Sequence, residues 1–139
     1  MKQLLIWIGL CLLLYGGLGV TMHLYLSANP QKFVIALDTS VYMKERQQQI
    51  SQELVRLAGR RYSVFSMIVD KGRLLHSWQS RPDTREKIIY YGDRLLSGFT
   101  DPSKYSELAQ ADRILLMSNA EDISELEKIY GNRFTRIAP

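Results

Sequence analysis

Between Lys2 and Lys32 this chain has no lysine, arginine, aspartate or glutamate. The stretch Leu4 to Leu26 is almost wholly apolar, and its roughly 23 residues extend about 34 Å at helical rise, enough to cross a bilayer core. Nothing else in a 139-residue chain restricts its folding so strongly. A charge-free segment of this length is expected to be one transmembrane helix spanning about 4–26. With its short linker it makes up residues 1–31, and one small domain follows at 32–139. Cleavable signal peptides have an apolar region of only about 7–15 residues and small residues before the cut. Here the apolar region is longer, and Leu26-Ser27-Ala28 puts a bulky leucine where a small residue is needed, so the segment reads as an uncleaved signal anchor. Trp7 and Tyr25 fall near its two ends, where interfacial rings prefer to sit. Gly9, Gly16, Gly17 and Gly19 give the helix a small-residue side, a feature of membrane helices in general and of helix–helix contacts in particular.

Flanking charge gives a mixed signal for orientation, with Lys2 before the span and Lys32, Lys44 and Arg46 after it. A short amino-terminal tail followed by a sizeable folded domain is also the layout of an exported, anchored protein, because long domains translocate largely regardless of charge. The expectation is a single-pass protein of the inner or plasma membrane, with its carboxyl-terminal domain on the exported, periplasmic side. Asn29-Pro30 breaks the chain just after the span, so the tether is short.

The remaining residues suffice for one compact domain. Lys2 supplies one of the four net positive charges, which leaves only a mild basic excess. The nearest thing to a basic cluster, Arg56, Arg60 and Arg61, fits the solvated end of a helix and carries no interleaved aromatics, so nucleic acid is not an expected partner. The single Cys11 lies in the apolar segment and the domain's only histidine is His76, which excludes an internal disulfide and a Cys/His metal site there.

Phe33 to Leu37 is a continuous apolar run, the pattern of a strand covered on both faces, and it ends in Asp38-Thr39-Ser40. Met43, Gln47, Ile50, Leu54 and Leu57 follow helical spacing up to Gly59. Tyr62 to Val69 and Arg73 to Trp78 read as a hairpin about Asp70-Lys71-Gly72. A second helix is expected from Pro82 or Asp83, where Asp83 and Glu86 have capping-box spacing, to Leu96. A loop at Gly98 to Pro102 leads to a short helix around Ser103 to Ala111. Then follow a buried strand at Arg113 to Met117, a helix from Ile123 to Tyr130 capped by Asp122 and Glu125, and a final short strand at Thr135 to Ala138. This alternation predicts an α/β domain, a mostly parallel sheet with helices on both faces and one antiparallel edge hairpin. In such sheets ligands bind at the carboxyl ends of the strands.

Three polar loops are expected at that edge: Asp38 to Tyr42, Gly98 to Thr100, and Ser118 to Asp122. Asp38, Ser40 and Thr100 carry the oxygen ligands that a hard divalent cation prefers. Taken in order, the loops resemble a von Willebrand factor A domain, which carries Asp-x-Ser-x-Ser after its first strand, a threonine in a glycine-rich loop, and an aspartate in Thr-Asp-Gly after a later strand. The resemblance covers Phe33 to about Ala138. It implies a metal-ion-dependent adhesion site, usually holding magnesium, which a partner's carboxylate completes. Asp38, Ser40 and Thr100 match the family's ligands. Tyr42 stands where the second serine belongs, Asn119 at the aspartate and Ala120 at the glycine, and the family's carboxyl-terminal elements are truncated. Mg²⁺ at Asp38, Ser40 and Thr100 is one expectation from this resemblance. Metal-free partner capture by Asp38, Ser40, Tyr42, Thr100 and Asn119 is the other.

The same residues also resemble a haloacid-dehalogenase-like phosphatase, with Asp38 as nucleophile and Ser118 holding the phosphoryl group. Ser40 stands in place of that family's general acid, however, and only about 20 residues follow Asn119. No phosphate-binding glycine loop is present. The resulting expectation is a membrane-anchored protein–protein interaction module rather than an enzyme, serving as an accessory or assembly subunit of a membrane complex.

Overall fold

A computed structural model describes residues 2–83 and 88–139, residues 2 and 5 by backbone alone. The chain divides into two units, Met1–Pro30 and Gln31–Pro139. In the first unit, helix α1 (Lys2–Ala28) includes a stretch, Ile6–Ala28, that is long and apolar enough to cross a membrane, and none of it is buried. Within it the Thr21 hydroxyl donates to the Gly17 carbonyl at 2.8 Å, which satisfies a polar group inside the helix itself.

The second unit is an α/β domain. Its strands are β1 (Gln31–Leu37), β2 (Ser63–Val69), β3 (Arg73–Gln79), β4 (Arg113–Met117) and β5 (Phe134–Ile137), and its α-helices are α2 (Gln47–Ala58), α3 (Ser106–Gln110) and α4 (Ser124–Tyr130). The sheet order is β3-β2-β1-β4-β5. β1 pairs parallel with β2 and β4, β4 pairs parallel with β5, and only β3 is antiparallel, to β2.

Successive side chains of a strand face opposite sides of a sheet, and the core divides accordingly. Phe33, Ile35, Leu37, Phe65, Met67, Leu115 and Met117 pack with Ile50, Leu54 and Leu57 of α2. Val34, Ala36, Ile68, Ile114 and Leu116 pack on the other side with Leu108 of α3 and Leu126 and Tyr130 of α4. Being covered on both faces is why Phe33 to Leu37 reads as an unbroken apolar run.

Some boundaries differ from the sequence reading. Val41–Arg46 forms a 3₁₀ segment ahead of α2, and α3 begins at Ser106 rather than Ser103. α4 begins at Ser124 with Ile123 at its N-cap, so Asp122, the expected cap, stands one residue ahead of it and takes the Ser124 amide at 3.1 Å. The larger correction concerns the helix expected from residue 83 to Leu96. Residues 88–95 form neither helix nor strand and bend at 92–93, and a 3₁₀ turn follows at Leu96–Phe99. Glu86 of the expected capping box lies outside the described residues. The expected helix gives way here because the backbone finds partners at the strand ends: Tyr91 donates its amide to Thr39 O at 2.9 Å, and Gly92 O accepts from Val41 at 3.1 Å.

Candidate docking face at the carboxyl end of the sheet

Three neighbouring strands each end in a buried polar residue. Asp38 follows β1, Asp70 follows β2 and Ser118 follows β4, each no more than 1% exposed. The ladder continues into these loops, with Asp38 donating its amide to Met117 O at 3.1 Å and Asp70 to Leu37 O at 3.2 Å. From β1 the chain proceeds to β2 on one side, and it later returns to β4 on the other. The gap between β1 and β4 is therefore the topological switch point, where open α/β sheets bind ligands.

At that point the Asp38 carboxylate is fully engaged. One oxygen accepts the Ser40 amide at 3.0 Å; the other accepts Arg94 Nε and Ser118 Oγ, both at 2.7 Å. Ser118 Oγ in turn accepts the Ala120 amide at 3.0 Å. Burial pushes the Asp38 pKa up, but hydrogen bonds from Ser118, Ser40 and Arg94 outweigh it and hold the group below its ordinary value. The Ser40 hydroxyl is buried and completes no hydrogen bond among the described residues, although it stands near enough to the carboxylate to favour its charged form.

Arg94 joins the two loops. Besides Asp38 it donates through Nη2 to Asn119 Oδ1, and its guanidinium lies over the Tyr42 ring at 5.5 Å. The second buried aspartate, Asp70, accepts the Thr39 amide at 3.1 Å, the Thr39 hydroxyl at 2.5 Å, the Leu95 amide at 3.2 Å and Lys71 Nζ at 3.2 Å. Lys71 also donates to Asp93 O and lies 5.6 Å from the Tyr91 ring. Segment 88–95 is thus held to the strand ends from Tyr91 through Leu95.

The residues expected to form one site have separate positions. Tyr42 and Asn119 line an open crevice of about 490 Å³ with Arg94, Leu96, Ala120, Glu121 and Asp122. Thr100 gives its hydroxyl to Ser97 O at 2.9 Å and lines a smaller hollow of about 90 Å³ with Ile123, Glu125 and Leu126. Asp38 and Ser40 are wholly buried and lie beneath the surface. The outer surface is apolar. Val41, Tyr42, Ile89, Tyr91 and Leu95 are each about half exposed, and they lie on two segments joined by the backbone bonds between Thr39, Val41, Tyr91 and Gly92. Arg94, Ile89 and Leu95 carry no local signal of site membership. A half-buried arginine in a stretch of helical spacing reads as a solvated helix face.

The donor set does not fit magnesium. The ion requires six oxygens in near-octahedral order, with carboxylate help. Asp38 is the one carboxylate among the three expected ligands, a guanidinium and a hydroxyl already occupy one of its oxygens, and Thr100 is turned to Ser97. No group of three or more metal-ligating acidic, histidine or cysteine side chains occurs among the described residues. The phosphatase resemblance meets the same obstacle, since the buried Asp38 carboxylate presents no free oxygen and Ser118 is bonded to Asp38 itself. No protein-family model, curated protein or solved structure matches this chain.

Proposed function

We propose that this protein is a membrane-anchored protein–protein interaction module, an accessory or assembly subunit of a larger membrane complex, whose domain captures a partner at the carboxyl end of its sheet. The observation that carries this reading is the set of half-exposed apolar side chains Val41, Tyr42, Ile89, Tyr91 and Leu95, carried on two backbone-bonded segments, with Tyr42 also lining the crevice at the strand ends. Clustered exposed apolar side chains with a polar surround mark contact surfaces, and tyrosine is among the residues that most often dominate binding energy. The von Willebrand A resemblance read from the sequence supplies the adhesive precedent. In this reading α1 is the anchor and the domain lies on the exported side. Protease added to sealed right-side-out vesicles checks that, since an exported domain is cut at once and a cytoplasmic one only after detergent opens the membrane.

The test is purification of the tagged chain from its native membranes in mild detergent, beside Ile89→Asp and Leu95→Asp. Both side chains are exposed, so each variant should keep its fold to within about 0.5 kcal/mol. A stoichiometric membrane-protein partner retained by the wild type and lost from both variants is the expected result. A wild-type chain that emerges alone, or a partner that ignores both aspartates, refutes the docking face.

A further inference from the structure

The crevice has an internal cation where the resemblance would put a metal. Arg94 Nε is 2.7 Å from Asp38 Oδ2, Nη2 meets Asn119, and the guanidinium plane rests near Tyr42, so one side chain bridges the ends of β1 and β4. Of the expected metal ligands it meets Asp38, while Thr100 is turned to Ser97. The guanidinium is already charged, is planar, and is the least strongly hydrated cation available to a side chain, which suits it to a partly buried carboxylate. Its side chain is 26% exposed while that of Asp38 is at 0%, so the charge of the aspartate is answered from the solvent side. Arg94 also sits between Tyr91 and Leu95, two of the half-exposed apolar residues, and its neighbours Gly92 and Leu95 bond to Val41 and Asp70.

We propose that Arg94 is the resident cation of this strand-end site, clamping segment 88–95 over Asp38 and making the docking face independent of any divalent ion. The inference rests on the docking reading only in its last clause. Arg94 is a positioning residue, since it shapes the surface through Asp38, Asn119 and Tyr42.

Both parts are tested on the full-length protein in detergent without a partner, so their failure is separable from failure of the docking reading. Titration with Mg²⁺, and with Mn²⁺ as a paramagnetic probe, should leave the wild-type melting temperature unmoved and broaden no resonance of the strand-end loops. Saturable binding that Asp38→Ala abolishes would overturn the proposal. Hydrogen exchange then reads the clamp. Arg94→Met should speed exchange at the Val41, Tyr91 and Leu95 amides by about tenfold to a hundredfold even without denaturant, while Val34 to Ala36 of β1 speed only by the loss of global stability, because a lost charged hydrogen bond loosens the segment. Unchanged exchange at those three amides refutes the clamp. If Arg94→Met does not fold, Asp38→Asn/Arg94→Met removes both charges and must give the same local loosening. If that variant also fails to fold, the wild-type titration decides.

Discussion

Asp38 shows how a residue's role is decided by what surrounds it. A carboxylate with no exposed surface survives only when its charge is answered, and here one cation and two further donors answer it. Arg94→Met should therefore destabilise the domain by about 3 kcal/mol in urea unfolding, since it strands a buried charge. Asp38→Asn/Arg94→Met should recover most of that loss. A near-zero cost for the single variant would mean that solvent screens the pair. Because the folded pKa of Asp38 lies below its ordinary value of 3.8, the stability it contributes is complete above that value and is lost as pH falls through the lowered native value. The same acid titration on Arg94→Met should show a smaller loss over that window, as one of the contacts that lowers the group is gone. Of this network, Asp38, Ser40, Tyr42 and Asn119 were legible in the sequence because they sit directly beyond the apolar runs that become β1 and β4. Arg94 was not, since it lies 56 positions from Asp38 and nothing nearby announces the pairing.

At the scale of elements, the parts that could be read are those whose signals are local. β1 and β4 are unbroken apolar runs, and the turn from β2 to β3 uses Gly72 at φ +81, a conformation that glycine adopts without strain. The misread element is 88–95. Its Ile88, Ile89, Leu95 and Leu96 have helical spacing, but backbone bonds to Thr39, Val41 and Asp70 outweigh that preference. The segment then enters the 3₁₀ turn at Gly98, where an added Cβ would stand 2.4 Å from Asp70 O. That atom is main chain and has little room to give. Gly98→Ala should cost about 2 kcal/mol or more in thermal or urea unfolding, in the range of overpacked sites. Gly59→Ala, whose Cβ would meet only Arg56 O at 3.5 Å, should cost far less. Equal effects at the two glycines would contradict the close approach of the turn to β2.

For the whole molecule, two units imply two separable behaviours. Both core clusters draw their residues from Gln31–Pro139. Residues 31–139 expressed alone should be soluble and unfold cooperatively at the midpoint of the full-length chain. The complete chain should stay with membranes through an alkaline carbonate wash. Aggregation of the shorter piece would show that the domain needs the helix to cover its surface.

What the sequence determined by itself rests on local or one-dimensional physics. A charge-free apolar stretch needs no tertiary information to be a membrane-length helix, and apolar runs alternating with amphipathic ones specify a sheet with helices packed on it. The site was decided by tertiary structure. Which cation answers Asp38, whether Thr100 reaches it, and which apolar residues remain exposed all depend on long-range backbone bonds across the strand ends. Those bonds overrode the helical spacing of 88–95 and brought Arg94 to the place where a metal was expected.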